Sequence, residues 1–192
     1  MSKPDPRVRV IGRFTLLFAG WLTLFIVIYP FLLPTYERLV LTFVNPLSMT
    51  FDPPVEYRVA EQATLDMFVI NPQGRALDLK RGYEPWAIFL SLPLFPALML
   101  ATPLAWKVRL KRLGLGMAAL FAIHGLALIG LVRGTVCTQI AERAGDSAPV
   151  FCTWMIGLSL TSGQFGAFLV WAAATWAFWL TSWEGEEAAP TT

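Results

Sequence analysis

Apolar residues gather in this chain into four long, nearly uncharged stretches separated by polar or mixed segments. A spanning helix needs about 20 mostly apolar residues, and each stretch reaches that length. Residues 14–33, FTLLFAGWLTLFIVIYPFLL, carry no charge. Residues 86–106 are also free of charge but contain Pro93, Pro96 and Pro103. A helix in a bilayer tolerates such prolines as kinks, because neighbouring helices can satisfy the freed backbone groups. Residues 113–132 hold one ionisable side chain, His124, and residues 154–180 form a run of 27. At ~1.5 Å per residue that last run exceeds a ~30 Å hydrocarbon core, so tilt or protrusion is expected. The pattern predicts an all-α membrane protein with four transmembrane helices.

The pattern changes between the first two stretches, in residues 34–85. Residues 35–44 have helical spacing, with Tyr36, Leu39, Val40 and Phe43 on one side, which would extend the first helix along the interface. Asn45-Pro46 and Asp52-Pro53-Pro54 are expected to break it. Val55-Glu56-Tyr57-Arg58-Val59 then alternates apolar with charged, residues 64–70 favour a strand, Asn71-Pro72-Gln73-Gly74 is a turn signal, and residues 75–80 alternate again. A small β-hairpin or three-stranded sheet outside the membrane is predicted. About thirty residues cannot bury a sufficient core alone, so the sheet needs the bilayer, the second outer loop or a partner to pack on.

Basic residues near helix ends set orientation. Lys3, Arg7, Arg9 and Arg13 in the tail 1–13, with Lys107, Arg109, Lys111 and Arg112 in the connection 107–112, make eight of the fifteen bases. Both segments are therefore assigned to the cytoplasm. The connection 133–153 carries only Arg133 and Arg143, and the five bases of the first outer loop are mixed with acids. Both termini fall inside, including the acidic tail 181–192 with Glu184, Glu186 and Glu187. A cleaved signal peptide is the competing reading of the first stretch. Its apolar run is too long for a typical signal core and leads into Pro34-Thr35-Tyr36-Glu37-Arg38 rather than a small-residue cleavage site, so an uncleaved anchor is expected.

The composition agrees with a lipid environment: 56% hydrophobic residues, 15% charged, eight Trp and fourteen Phe. A net charge of +2 gives no argument for nucleic acid. The two cysteines, Cys137 and Cys152, fall on the same outer side with fourteen residues between them. An oxidising compartment would let them close a disulfide worth ~3 kcal/mol on the chain-entropy model. Two unpaired small hydrophobes are the alternative.

His124 lies ~12 Å from the outer end of its stretch and Gln164 ~15 Å from the outer end of the next. The matched depths predict an interhelical His124–Gln164 hydrogen bond that positions two antiparallel helices, with a proton relay as the alternative. No acid accompanies the pair in the predicted spans. Small residues every four positions, Gly114, Ala118 and Ala122 on the third helix and Ser159, Gly163 and Ala167 on the fourth, predict close packing within or between chains.

Catalytic signals are few. The sequence has no H-E-x-x-H, P-loop or G-x-S-x-G, and no paired carboxylates in a span. One His and two distant Cys do not make a metal set, and no cofactor is expected. Cys137, Arg133 and His124 supply a thiol, a cation and a base, which suffice for acyl transfer. His124 and Cys137 are ~20 Å apart if helical, however.

The order of anchor, outer β-rich loop, a second helix opening Tyr83-Glu84-Pro85-Trp86 and continuing Leu92-Pro93-Leu94, and a last helix bearing Gln164-Phe165-Gly166 resembles the small exosortase H-associated membrane proteins of Gram-negative bacteria. The resemblance covers most of the chain as architecture. It implies an inner-membrane partner of a protein-sorting transpeptidase that handles exported proteins with C-terminal sorting signals. The transpeptidase's own Cys, Arg and His do not carry over, because their order and spacing differ here. Two functions are thus expected to compete. One is a non-catalytic accessory subunit bound to another integral membrane protein as a hetero-oligomer. The other is a small transporter or membrane enzyme using His124, Gln164 and Arg133.

Overall fold

The computed structural model of the chain describes residues 6–51, 54–59, 65–70, 76–78 and 88–187. In chain order they form α1 (Pro6–Met49), β1 (Val55–Val59), β2 (Leu65–Ile70), β3 (Ala76–Asp78), α2 (Ser91–Ala101), α3 (Trp106–Ala144) and α4 (Val150–Glu187). The chain is mostly helical, and α1, α3 and α4 are each long and apolar enough to cross a membrane. Lys3, the Asn71-Pro72-Gln73-Gly74 turn and the Tyr83-Glu84-Pro85-Trp86 opening lie outside the described residues.

The helices run well past the apolar stretches. Helix α1 continues through Pro30, Pro34 and Pro46 for 44 residues, so Asn45-Pro46 does not break it. Asn45 makes a tertiary contact instead. Its amide donates to the Tyr57 carbonyl at 3.1 Å and its Oδ1 accepts from the Tyr57 N–H at 2.9 Å, tying β1 to the helix. At ~1.5 Å per residue α1 is roughly 65 Å long, about twice a hydrocarbon core. Its most apolar window holds no fully buried residue, whereas Glu37, Val40, Leu41, Val44 and Ser48 further along are buried. Their spacing is that of one helix face. The face predicted from Tyr36, Leu39, Val40 and Phe43 is thus rotated by about one residue, leaving Leu39 and Phe43 exposed.

The basic segment 107–112 is not a loop but the first turns of α3, and the turn itself is residues 102–105. Helix α3 ends at Gly145, whose φ of 78° permits the left-handed cap that returns its N–H to the Ala141 and Glu142 carbonyls. With α4 starting at Val150, the connection placed at 133–153 shrinks to residues 145–149. Hydropathy locates a bilayer, not the end of a helix, and Arg133, Glu142 and Arg143 are all compatible with further turns.

Among the described residues the stretch 86–106 contains the 11-residue α2, of which nearly every side chain is buried. It is a core helix that packs on α1, α3 and α4. The three strands form an antiparallel sheet in the order β1-β2-β3, with Val55 opposite Val69 and Phe68 opposite Asp78. Val55 and Tyr57 of β1 point inward, and Glu56 pairs with Arg58 at 2.8 Å on the outer side. The Tyr57 hydroxyl donates to the Leu128 carbonyl of α3.

Two apolar clusters result. One joins Val40 and Val44 of α1, Val55 of β1, Phe89, and Leu128 and Leu131 of α3. The other joins Phe95 and Met99 of α2, Leu120 of α3 and Ala167 of α4.

Candidate functional site

His124 lies on α3 one turn from Leu120 and one turn from Leu128, so it sits where the two clusters meet. It has no exposed surface, and neither has Ser91. Its Nδ1 is 2.7 Å from the Tyr36 hydroxyl on α1, and its Nε2 is 2.7 Å from Ser91 Oγ at the start of α2. An imidazole with one N–H and one bare nitrogen fits both, donating to one hydroxyl and accepting from the other. Aromatic edges enclose it. The Phe89 ring centroid is 5.0 Å from that of His124, and Tyr36 meets Phe89 and Phe121 edge-on at 5.4 and 6.1 Å.

Helix α4 closes the fourth side. The Gly163 backbone bears on the His124 ring. A Cβ at Gly163 would lie 2.6 Å from the Ile88 carbonyl, so only glycine allows this approach. Glu37, next to Tyr36, is 4% exposed, and its Oε1 and the Tyr29 hydroxyl are buried without a hydrogen-bond partner among the described residues.

This geometry corrects several expectations. The His124–Gln164 bond is replaced by bonds to Tyr36 and Ser91, because the phase of α3 aims the ring at α1 and α2 rather than at the Gln164 face of α4. Glu37, outside the predicted span 14–33, is buried on α1 one residue from Tyr36. Sequence reasoning missed Tyr36, Glu37 and Ser91 as site residues. Ser91 left a signal, being the sole hydroxyl between Trp86 and Ala101. The two small-residue stripes also differ. On α4, Ser159, Gly163 and Ala167 are buried, and a Cβ at Gly130 of α3 would meet Ser159 Oγ at 2.4 Å. On α3, Gly114, Ala118 and Ala122 are exposed. They lie two residues from Gly116, Leu120 and His124, and ~200° of helix rotation turns them to the opposite face.

Cys137 and Cys152 are disulfide-bonded, with Cα atoms 5.9 Å apart, and so join α3 to α4. Cys137 is therefore not a thiol nucleophile. Arg133 lies with its guanidinium 4.3 Å from the Phe51 ring centroid, and His124 faces Tyr36 and Ser91, so the Cys137, Arg133, His124 constellation does not assemble. An open, mainly apolar groove of about 550 Å³ runs beside the disulfide, with Ile140, Phe151 and Met155 in its walls. Among the described residues, no three of His, Cys, Asp and Glu gather to hold a metal ion.

Chemically, the junction can hold α1, α2, α3 and α4 in register, and its hydroxyl–imidazole–hydroxyl chain can also pass a proton. Compared with family models, with curated proteins and with solved structures, the chain matches none.

Proposed function

We propose that this protein is a non-catalytic accessory or assembly subunit of an inner-membrane complex, serving an exosortase-type protein-sorting system. It crosses the membrane four times, with both termini in the cytoplasm. The observation that carries the reading is the burial of the one histidine with both ring nitrogens occupied, which withdraws the best catalytic side chain from any substrate.

The four-crossing arrangement has its own support. Helix α2 and the turn after it run from the level of Tyr36 on α1, beside Phe89, to the level of Arg13, beside Leu104. Those two α1 residues are ~34 Å apart along the helix, a hydrocarbon thickness. The exposed face of Gly114, Ala118 and Ala122, the groove beside the disulfide and the outer sheet are the contact surfaces for a partner.

Affinity purification from native membranes in mild detergent tests this. Recovery of a larger integral membrane protein in fixed proportion, lost on reversal of the α3 stripe with Ala118→Leu, is the expected result. A homogeneous preparation of this chain alone that restores function in a deletion strain would overturn it.

A second reading has one observation in its favour. Tyr36, His124 and Ser91 form a three-member hydrogen-bonded chain, a short relay of the kind that a small transporter or membrane enzyme would need. A His124→Gln variant discriminates, since an amide holds hydrogen bonds but does not titrate near neutral pH.

A further inference from the structure

The end of the molecule opposite the sheet carries both basic segments of the sequence. A cavity of about 300 Å³ lies there between α1 and the α2–α3 turn. Arg13 of α1 and Arg109 of α3 stand in its wall, and Val10, Phe14, Leu17 and Leu104 make the apolar remainder. The turn is held rigidly, because Trp171 of α4 donates from Nε1 to Thr102 Oγ1 at 2.9 Å and Arg109 Nη2 donates to the Leu104 carbonyl at 2.9 Å.

Three features of this cavity favour an anion. Arg109 Nε is a buried N–H donor without a partner among the described residues. Helix α3 begins there with no side-chain cap and no acid in its first turn, leaving its first N–H groups and the positive end of its dipole open. The same turn adds Lys107 and Arg109, whose charges oppose that dipole unless an anion lies among them. The remaining wall excludes a simple aqueous ion as the best fit. Val10, Leu17 and the neighbouring Leu16 continue as an outward apolar face of α1, and Trp106 projects beside Arg109 at 5.7 Å, as an aromatic ring does at the lipid headgroup level.

The geometry points to a binding site for the phosphate of an anionic phospholipid. Arg13, Arg109 and the N-terminus of α3 hold the headgroup, and the acyl chains lie along Val10, Phe14 and Leu17. The site does not depend on the accessory role and would stand if that role failed.

The test is thermal unfolding of the full-length protein in neutral detergent, followed by tryptophan fluorescence, with phosphatidylglycerol, phosphatidylcholine or inorganic phosphate added. Phosphatidylglycerol at ~100-fold over its Kd should raise Tm by roughly 5–10 °C, and the other two should not. The shift should vanish in Arg13→Gln/Arg109→Gln and persist in Arg9→Gln/Lys111→Gln, which removes equal charge from exposed positions outside the cavity wall. An equal shift with phosphatidylcholine would mean that charge is not read, and an equal shift with inorganic phosphate would mean a soluble ligand. Either outcome overturns the proposal, as does loss of the shift in both double variants, which would mark diffuse attraction. Should the arginine variant fail to fold, native mass spectrometry of the wild-type protein decides. Preferential retention of phosphatidylglycerol supports the site, and equal retention of both lipids overturns it.

Discussion

Helices α3 and α4 each carry a small residue every fourth position, yet only one of the two stripes is used inside the chain. On α4, Gly163 brings backbone against the Ile88 carbonyl and Ala167 joins the second apolar cluster. On α3, Gly114, Ala118 and Ala122 face outward while Gly116 and Gly130, in a different phase, make the close contacts. The period of a small-residue stripe thus says that something can approach closely. The phase, fixed by the large residues beside it, says whether that something is the chain's own helix.

Matched substitutions on the two stripes give the largest contrast. Gly163→Val places a branched side chain against backbone and should cost ~3 kcal/mol or more, read as loss of folded protein in detergent. Gly114→Val has open space around it and should stay within about 0.5 kcal/mol. Similar losses at both positions would abolish the distinction.

The disulfide holds α3 and α4 together at one end, so Cys152→Ser tests how far that tie sets their pairing. The expected cost is ~3 kcal/mol, measured by denaturant titration with and without reductant. Reductant should not change the variant further.

The side-chain bonds of His124 tie α3 to α1 and α2. His124→Gln can still donate and accept, and should lose only ~0.6 to 2 kcal/mol of helix association. His124→Ala leaves Tyr36 and Ser91 unpaired beside a void and should lower abundance in the membrane further. Complementation with abundance measured in parallel separates the roles, since full abundance without function in His124→Gln marks proton transfer.

The smallest effect belongs to the three-stranded sheet. The hydrogen bond from Arg58 holds the Glu56 carboxyl below its ordinary pKa of 4.5. A depressed carboxylate contributes stability above the unfolded value and loses it as pH falls through the folded value. Protease resistance of the sheet should therefore be flat from neutral pH down to about 4.5 and decline only below it, with Glu56→Gln removing that decline.

Much of the helical frame was legible because apolar runs of bilayer length have few other uses. Cys137 and Cys152 were legible as a pair because both fell on one side of the predicted membrane. The site was not, for reasons of phase and reach. Pro46 is a poor helix residue, yet the Asn45 clasp on Tyr57 and the buried row from Glu37 to Ser48 carry α1 through it. That extension places Tyr36 within reach of His124, a contact spanning 88 residues that no local pattern encodes. Matching depths alone suggested Gln164, because depth fixes a level in the membrane and leaves rotation about the helix axis open. Within residues 86–106 the apolar side chains of α2 face protein on nearly every side, a difference from an outward-facing helix that hydropathy alone does not register.

The long reach of the His124 junction also bears on how the protein is made. Tyr36 emerges 88 residues before its partner and Ser91 emerges 33 residues before it. At ~5–20 residues per second, Tyr36 waits roughly 4 to 18 s for its imidazole. During that interval α1 and α2 present hydroxyls and the Glu37 carboxyl to whatever surrounds them. Packing of α1 and α2 is therefore completed only after α3 has been made, as one step taken by the helices together rather than one at a time.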